Sequence, residues 1–162
     1  MNLAYLTGNR AAIADAVPSL VQLLGTNSSP EVQKNAAGVL YNLAQNADHN
    51  VKIAAACAIP PLVQLLGPGS TAGVQQYAAG ALGTLAQIND NAVAIAAAGA
   101  IPPLVQLLGP GSDDVPTEFA ALKALGHNNA TNIAAIAAAG ASADVDVLEE
   151  MERLGVYDDD EE

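Results

Sequence analysis

Apolar positions along this chain recur in a fixed order. Leu62, Val63, Leu65 and Leu66 fall at helical spacing and form one apolar face behind the pair Pro60-Pro61. Proline suits a first helical turn, whose N–H groups have no partner inside the helix, and Gly67-Pro68 then stops the helix. The stretch Ala58 to Ser70 returns letter for letter at Ala100 to Ser112, and a looser copy fills Ala16 to Gly25. The copies start at 16, 58 and 100, a period of 42 residues. Such a period marks an array of stacked units, each burying its apolar face against its neighbours.

Within each unit the pattern predicts three helices. The first is short, over 9–15, 50–57 and 91–98, with Asn9, Asn50 and Asn91 as N-caps. The second is the proline-led apolar helix. The third is the longest, over 30–45 and 71–88, with a variant at 115–126; Ser29 caps the first of these and Pro30 takes its first position. Val32, Ala36, Val39, Leu40 and Leu43 make one buried stripe, and Val74, Ala78, Ala81, Leu82 and Leu85 repeat it 42 residues on. In the third unit the loop formers of Leu125–Asn132 end the long helix early. Ile95–Gly99 recurs as Ile136–Gly140 at an offset of 41, so one residue has been lost there.

These elements predict an all-α right-handed solenoid over residues 1–155, with about ten helical segments and no sheet. It divides into a partial repeat 1–8, repeats 9–49, 50–90 and 91–131, and a degenerate capping repeat 132–155. In the cap Val147, Leu148, Met151 and Leu154 keep an apolar stripe among charges, and residues 156–162 form an acidic tail. Residues 1–8 read as the end of an incomplete unit. An uncovered apolar face is therefore expected there, with self-association or fraying.

Composition sharpens this. The chain is 51% hydrophobic but only 3% aromatic, which favours close packing of alanine and leucine helices over a β architecture. No apolar run reaches the roughly 18–20 residues of a membrane-crossing helix, so no direct membrane insertion is expected, and no signal-peptide pattern opens the chain. One cysteine, Cys57, excludes an internal disulfide framework and fits a reducing compartment, cytoplasm or nucleus. Net charge is −12, with ten acids and one base from Asp144 onward. Without clustered Lys and Arg, nucleic-acid binding is not expected.

Candidate chemistry is sparse. His49 and His127 fall in separate predicted loops with no further donors at ligand spacing, so no metal is expected. No nucleophile–base set, phosphate loop or paired carboxylate marks an enzyme, and no cofactor is expected. Cys57 stands where Gly99 and Gly140 stand, at a helix end, and reads as a small buried residue.

A unit of A-I-P-P-L-V-Q-L-L followed by V-Q-x-x-A-A-x-x-L-x-N-L-A resembles the armadillo repeat. Ile59–Leu66 and Ile101–Leu108 carry the first part. Val32-Gln33, Ala36-Ala37, Leu40 and Asn42-Leu43-Ala44 carry the second, with Val74-Gln75, Ala78-Ala79, Leu82 and Leu85-Ala86 as its next copy. The resemblance covers about residues 1–140. In armadillo proteins such as importin-alpha and beta-catenin the long helices line a concave groove for an extended peptide. An Asn of the N-L-A motif holds the peptide backbone there, and in importin-alpha a Trp one turn earlier builds side-chain pockets. Asn42 matches that Asn, Thr84 replaces it one unit on, and Gly38 and Gly80 hold the Trp positions.

The resemblance thus implies Asn42 and Thr84 as peptide contacts, Lys34 and Gln76 on one groove wall, and Gln45 and Gln87 at its far side. From the residues alone, Asn42 also suits a solvated helix surface. Gly38 and Gly80 mark a close approach by either a neighbouring helix or a ligand. Tyr77 and Phe119 occupy equivalent places and suit packing between helices. The expected function is a non-catalytic adaptor or scaffold that binds a peptide or protein surface, with a basic partner. The alternative is a structural or autoregulatory piece of a longer armadillo protein.

Overall fold

Hydroxyl and amide side chains set where the helices begin. In the computed structural model, which describes residues 15–108, 117–127 and 129–143, residues 15–23 form α1. Ser29 Oγ then accepts from the Val32 N–H at 3.4 Å and opens α2, Pro30–Ala44. Asn46 Oδ1 accepts from Asp48 N–H at 3.0 Å and opens α3, Ala47–Ala55. The proline pairs lead α4, Ile59–Gln64, and α7, Ile101–Leu108. Thr71 repeats the role of Ser29 at 3.4 Å before α5, Ala72–Leu85. α6, Asn89–Ala97, α8, Thr117–Gly126, and α9, Ala130–Ala143, complete the described helices. No strand occurs among the described residues.

The helices stack as units. α2 packs on α5 and α5 on α8, while α4 and α7 pack beneath the long helices of their own units. One apolar cluster runs from Val17 to Ile136, with Leu65 buried in it and Leu107 packed against it. The ends of α1 and α4 also receive a polar stitch. Gln33 Nε2 donates to Leu24 O and Gly25 O at 3.2 and 3.0 Å, and Gln75 Nε2 to Leu66 O and Gly67 O at 3.2 and 2.9 Å. These bonds occupy carbonyls that a helix end leaves without partners.

Several expectations need correction. Asn50 and Asn91 are not N-caps. They lie inside α3 and α6, and their amides donate to the last carbonyls of the preceding long helices, Ala44 O at 3.4 Å and Leu85 O at 3.2 Å. Asn9 lies outside the described residues. The stripe on α2 is only partly buried: Val39 is 43% exposed whereas its counterpart Ala81 is 0%. Val32 is likewise exposed and its counterpart Val74 buried. α5 has both α2 and α3 packed on it. The partial repeat 1–8, most of the cap and the acidic tail also lie outside the described residues.

Gly140 does not end a helix. α9 runs through it to Ala143, because no proline pair follows and alanine favours continuation. α8 does end early at Gly126, with ten residues against fifteen in α2. His49 sits in α3, not a loop. It is buried, and its Nε2 has no hydrogen-bond partner.

Cys57 is exposed rather than buried, and its φ of 59° is left-handed, as is the 83° of Gly99 at the same place one unit on. A side chain in that region costs roughly 1–2 kcal/mol, part of which glycine loses again in chain entropy. Cys57→Gly is therefore expected to stabilise the fold by about 1 kcal/mol and to raise the melting temperature by about 2–4 °C. Cys57→Ala should leave it unchanged, and equal shifts for the two variants would refute the backbone explanation.

Candidate functional site

Small residues bring the long helices close, and larger ones from neighbouring helices cover them. A Cβ on Gly38 would stand 3.3 Å from Cδ1 of Tyr77, and one on Gly80 would stand 3.2 Å from Cδ2 of Tyr41. Each tyrosine thus lies over a glycine of the facing helix, Tyr77 of α5 over α2 and Tyr41 of α2 over α5. The same Cβ on Gly80 would also stand 3.2 Å from Thr117 Cγ2 of α8. The close approach at both glycines is made by neighbouring helices.

Two adjoining pockets open along this seam. The larger, about 240 Å³, has Tyr41 of α2 and Gln45 just after it, Gly80, Gly83 and Thr84 of α5 with Gln87 beyond it, and Thr117, Ala120, Ala121 and Ala124 of α8. The smaller, about 200 Å³, lies between Tyr41, Gln76, Tyr77, Gly80 and Thr117. Tyr41, Gly80 and Thr117 are walls of both.

The structure brings together Gln45, Gln76, Gly80, Thr84 and Gln87 on these walls. Thr84 is 5% exposed, and its Oγ1 donates to Gly80 O at 2.9 Å while accepting from Gln45 Nε2 at 3.3 Å. Its hydroxyl hydrogen is already used within the fold. Asn42 is exposed on α2 and lines neither pocket. Lys34 is exposed with its stem across the α2–α5 seam, its Cδ 3.3 Å from where a Gly73 Cβ would stand. Gly38 lies beneath Tyr77 rather than on a pocket wall.

Tyr77 is both a packing residue, as expected, and an exposed pocket wall, whereas its counterpart Phe119 is buried. Tyr41, Gly83 and Thr117 were not singled out by sequence. A signal existed: the 42-residue period sets Tyr41 against Gly83, exchanging the largest side chain of the seam for none. Among the described residues no three His, Cys, Asp or Glu side chains group as metal ligands. No single described helix is long and apolar enough to cross a membrane.

Comparison with known proteins fits this geometry. The armadillo/beta-catenin-like repeat pattern matches residues 7–45, 47–87 and 89–127. Comparison with curated proteins gives no match. Among solved structures, a crystal structure of an engineered protein is 34% identical with a TM-score of 0.69, covering 76% of this chain and 51% of that one. Computationally designed armadillo repeat proteins for modular peptide recognition are 31% identical with a TM-score of 0.71, covering 85% and 57%. A designed armadillo repeat protein in complex with the peptide (KR)4 is 29% identical with a TM-score of 0.72, covering 87% and 58%. The chain therefore spans about half the length of the solved structures it matches. With three repeats matched in tandem and a stacked helical structure to carry them, the chain belongs to the armadillo/beta-catenin-like repeat family.

Proposed function

We propose that this chain is a protein-interaction scaffold that holds an extended peptide segment of its partner along the face shared by α2, α5 and α8. The observation that carries this is the pair of adjoining pockets with Tyr41 as common wall. Support comes from the designed armadillo proteins for peptide recognition, one of which holds a peptide. No chemical step is assigned to any residue. A single cysteine supports a reducing compartment, cytoplasm or nucleus, as the place of action.

Asn42 is exposed beside this face, with an amide that both donates and accepts. A neutral hydrogen bond contributes about 0.5–1.5 kcal/mol net, so Asn42→Ala should weaken a selected peptide several-fold and leave the melting temperature unchanged. The net charge of −12 draws in partners with basic flanks, so association should slow as salt rises. Deleting Asp158–Glu162 should reduce that salt dependence without abolishing binding. Calorimetric titration decides it: unchanged affinity in Asn42→Ala together with lost binding on tail deletion would move the interaction to the acidic segment.

A further inference from the structure

Thr84 is buried, yet it lines the larger pocket together with Gln45, and a hydrogen bond across the α2–α5 seam joins the two. Resting on the groove reading above, we propose that Thr84 is a positioning residue. It holds the Gln45 amide so that its carbonyl oxygen serves the groove as a fixed acceptor for a main-chain N–H of the bound segment.

The chemistry of the hydroxyl dictates the orientation. A threonine hydroxyl carries one hydrogen, and inside a helix that hydrogen can go to the carbonyl four residues back. Here it does, since Thr84 Oγ1 donates to Gly80 O at 2.9 Å. With the hydrogen spent, Oγ1 can only accept, so whatever reaches it must donate. Gln45 reaches it from the end of α2, and only Nε2 of its amide can serve, at 3.3 Å. The amide is thereby fixed one way round. Its Oε1 accepts no hydrogen bond from the described residues and is the atom left for a ligand. Thr84 itself has no hydrogen left to offer a peptide, so it acts through Gln45 rather than as a second Asn42. An extended segment lying across helices leaves its main-chain N–H groups without the partners a sheet would give, and each one desolvated needs an acceptor. An amide already held in place gives up less side-chain freedom on binding than one that turns freely.

The test uses the full chain and linear dodecapeptides selected on it from a phage-displayed random library, resynthesised and titrated by fluorescence anisotropy. Gln45→Ala and Thr84→Val are each expected to weaken binding about two- to tenfold, the worth of one neutral hydrogen bond. Thr84→Ser keeps the hydroxyl and should bind like the parent. In the Gln45→Ala background Thr84→Val should cost nothing further, because its effect runs through the amide it orients. Replacing one main-chain N–H of the peptide by an ester oxygen should weaken binding to the parent and make no difference to Gln45→Ala. Ala120→Trp, which puts bulk on an exposed wall of the larger pocket, tests the groove itself and should abolish binding. Suppose Ala120→Trp does so, but Thr84→Ser is as weak as Thr84→Val, the Gln45 and Thr84 losses add, or no ester position couples to Gln45. Any of these overturns the assignment and leaves the groove reading standing. If no peptide is enriched, or if enriched peptides still bind Ala120→Trp, the groove reading falls and the assignment with it.

Discussion

Gly83→Leu is expected to destabilise the fold by about 3 kcal/mol or more, a fall of about 6–12 °C in melting temperature for a chain of this length. The reason is backbone against backbone. A Cβ on Gly83 would stand 2.9 Å from Ala121 Cα and 3.1 Å from its Cβ, and neither atom belongs to a side chain that can swing aside. α5 and α8 would have to separate, and that seam covers Leu82, Leu85, Leu122 and Leu125, all fully buried. Gly38→Ala should cost less, because its neighbour is the movable ring of Tyr77. Gly69→Ala, with nothing within 4 Å, should change stability by less than about 0.5 kcal/mol. Thermal unfolding followed by circular dichroism ranks the three. A Gly83→Leu protein that melts with the Gly69→Ala control would show that the α5–α8 contact is not tight in solution.

The long helices were legible because several local signals agreed. Ser29 and Thr71 cap, Pro30 enters the first turn, and α2 and α5 end within three residues of the expected boundaries. What the sequence hid is pairing between units, which no local signal encodes. Tyr77–Gly38 and Tyr41–Gly80 are each 39 residues apart, whereas Gly80–Thr117 and Gly83–Ala121 are 37 and 38 apart. The third long helix is therefore slipped against the second, so the 42-residue period does not carry the α2–α5 contacts over to α5–α8. Pocket walls were hidden for the same reason: Tyr41 and Thr117 matter through what they face. Asn50 and Asn91 were misread because an Asn near a helix start usually caps, and only the folded units show the carbonyls these two reach.

Asn50→Leu should be destabilising to a similar degree, about 3 kcal/mol, although leucine nearly matches asparagine in size. Asn50 is 2% exposed. Its Nδ2 donates to Thr84 O at 2.9 Å and Ala44 O at 3.4 Å, and its Oδ1 accepts from Asn91 Nδ2 at 2.8 Å. One amide thus ties the end of α2, the last turn of α5 and the first turn of α6. Asn91 then reaches Leu85 O at 3.2 Å, and Asn132 continues the series to Leu125 O at 2.8 Å and Ala92 O at 3.4 Å. The three asparagines recur every 41 residues rather than 42, since each follows the end of its preceding long helix. Leucine would take the side-chain donor from Ala44 O and leave Thr84 O with only the longer bond from Gln87 N–H at 3.3 Å. It would also strip Asn91 Nδ2 of its acceptor on Asn50. The loss is about 1–3 kcal/mol for each buried group left unpaired, offset in part by the leucine's own apolar burial. Because Asn50 and Asn91 share a bond, the double variant Asn50→Leu/Asn91→Leu should fall short of the sum of the single losses by about 1 kcal/mol. Denaturant titration of the four proteins measures this coupling. Strict additivity would mean that the two amides act separately, and an Asn50→Leu protein as stable as the parent would mean that water already satisfies the carbonyls the ladder is held to serve.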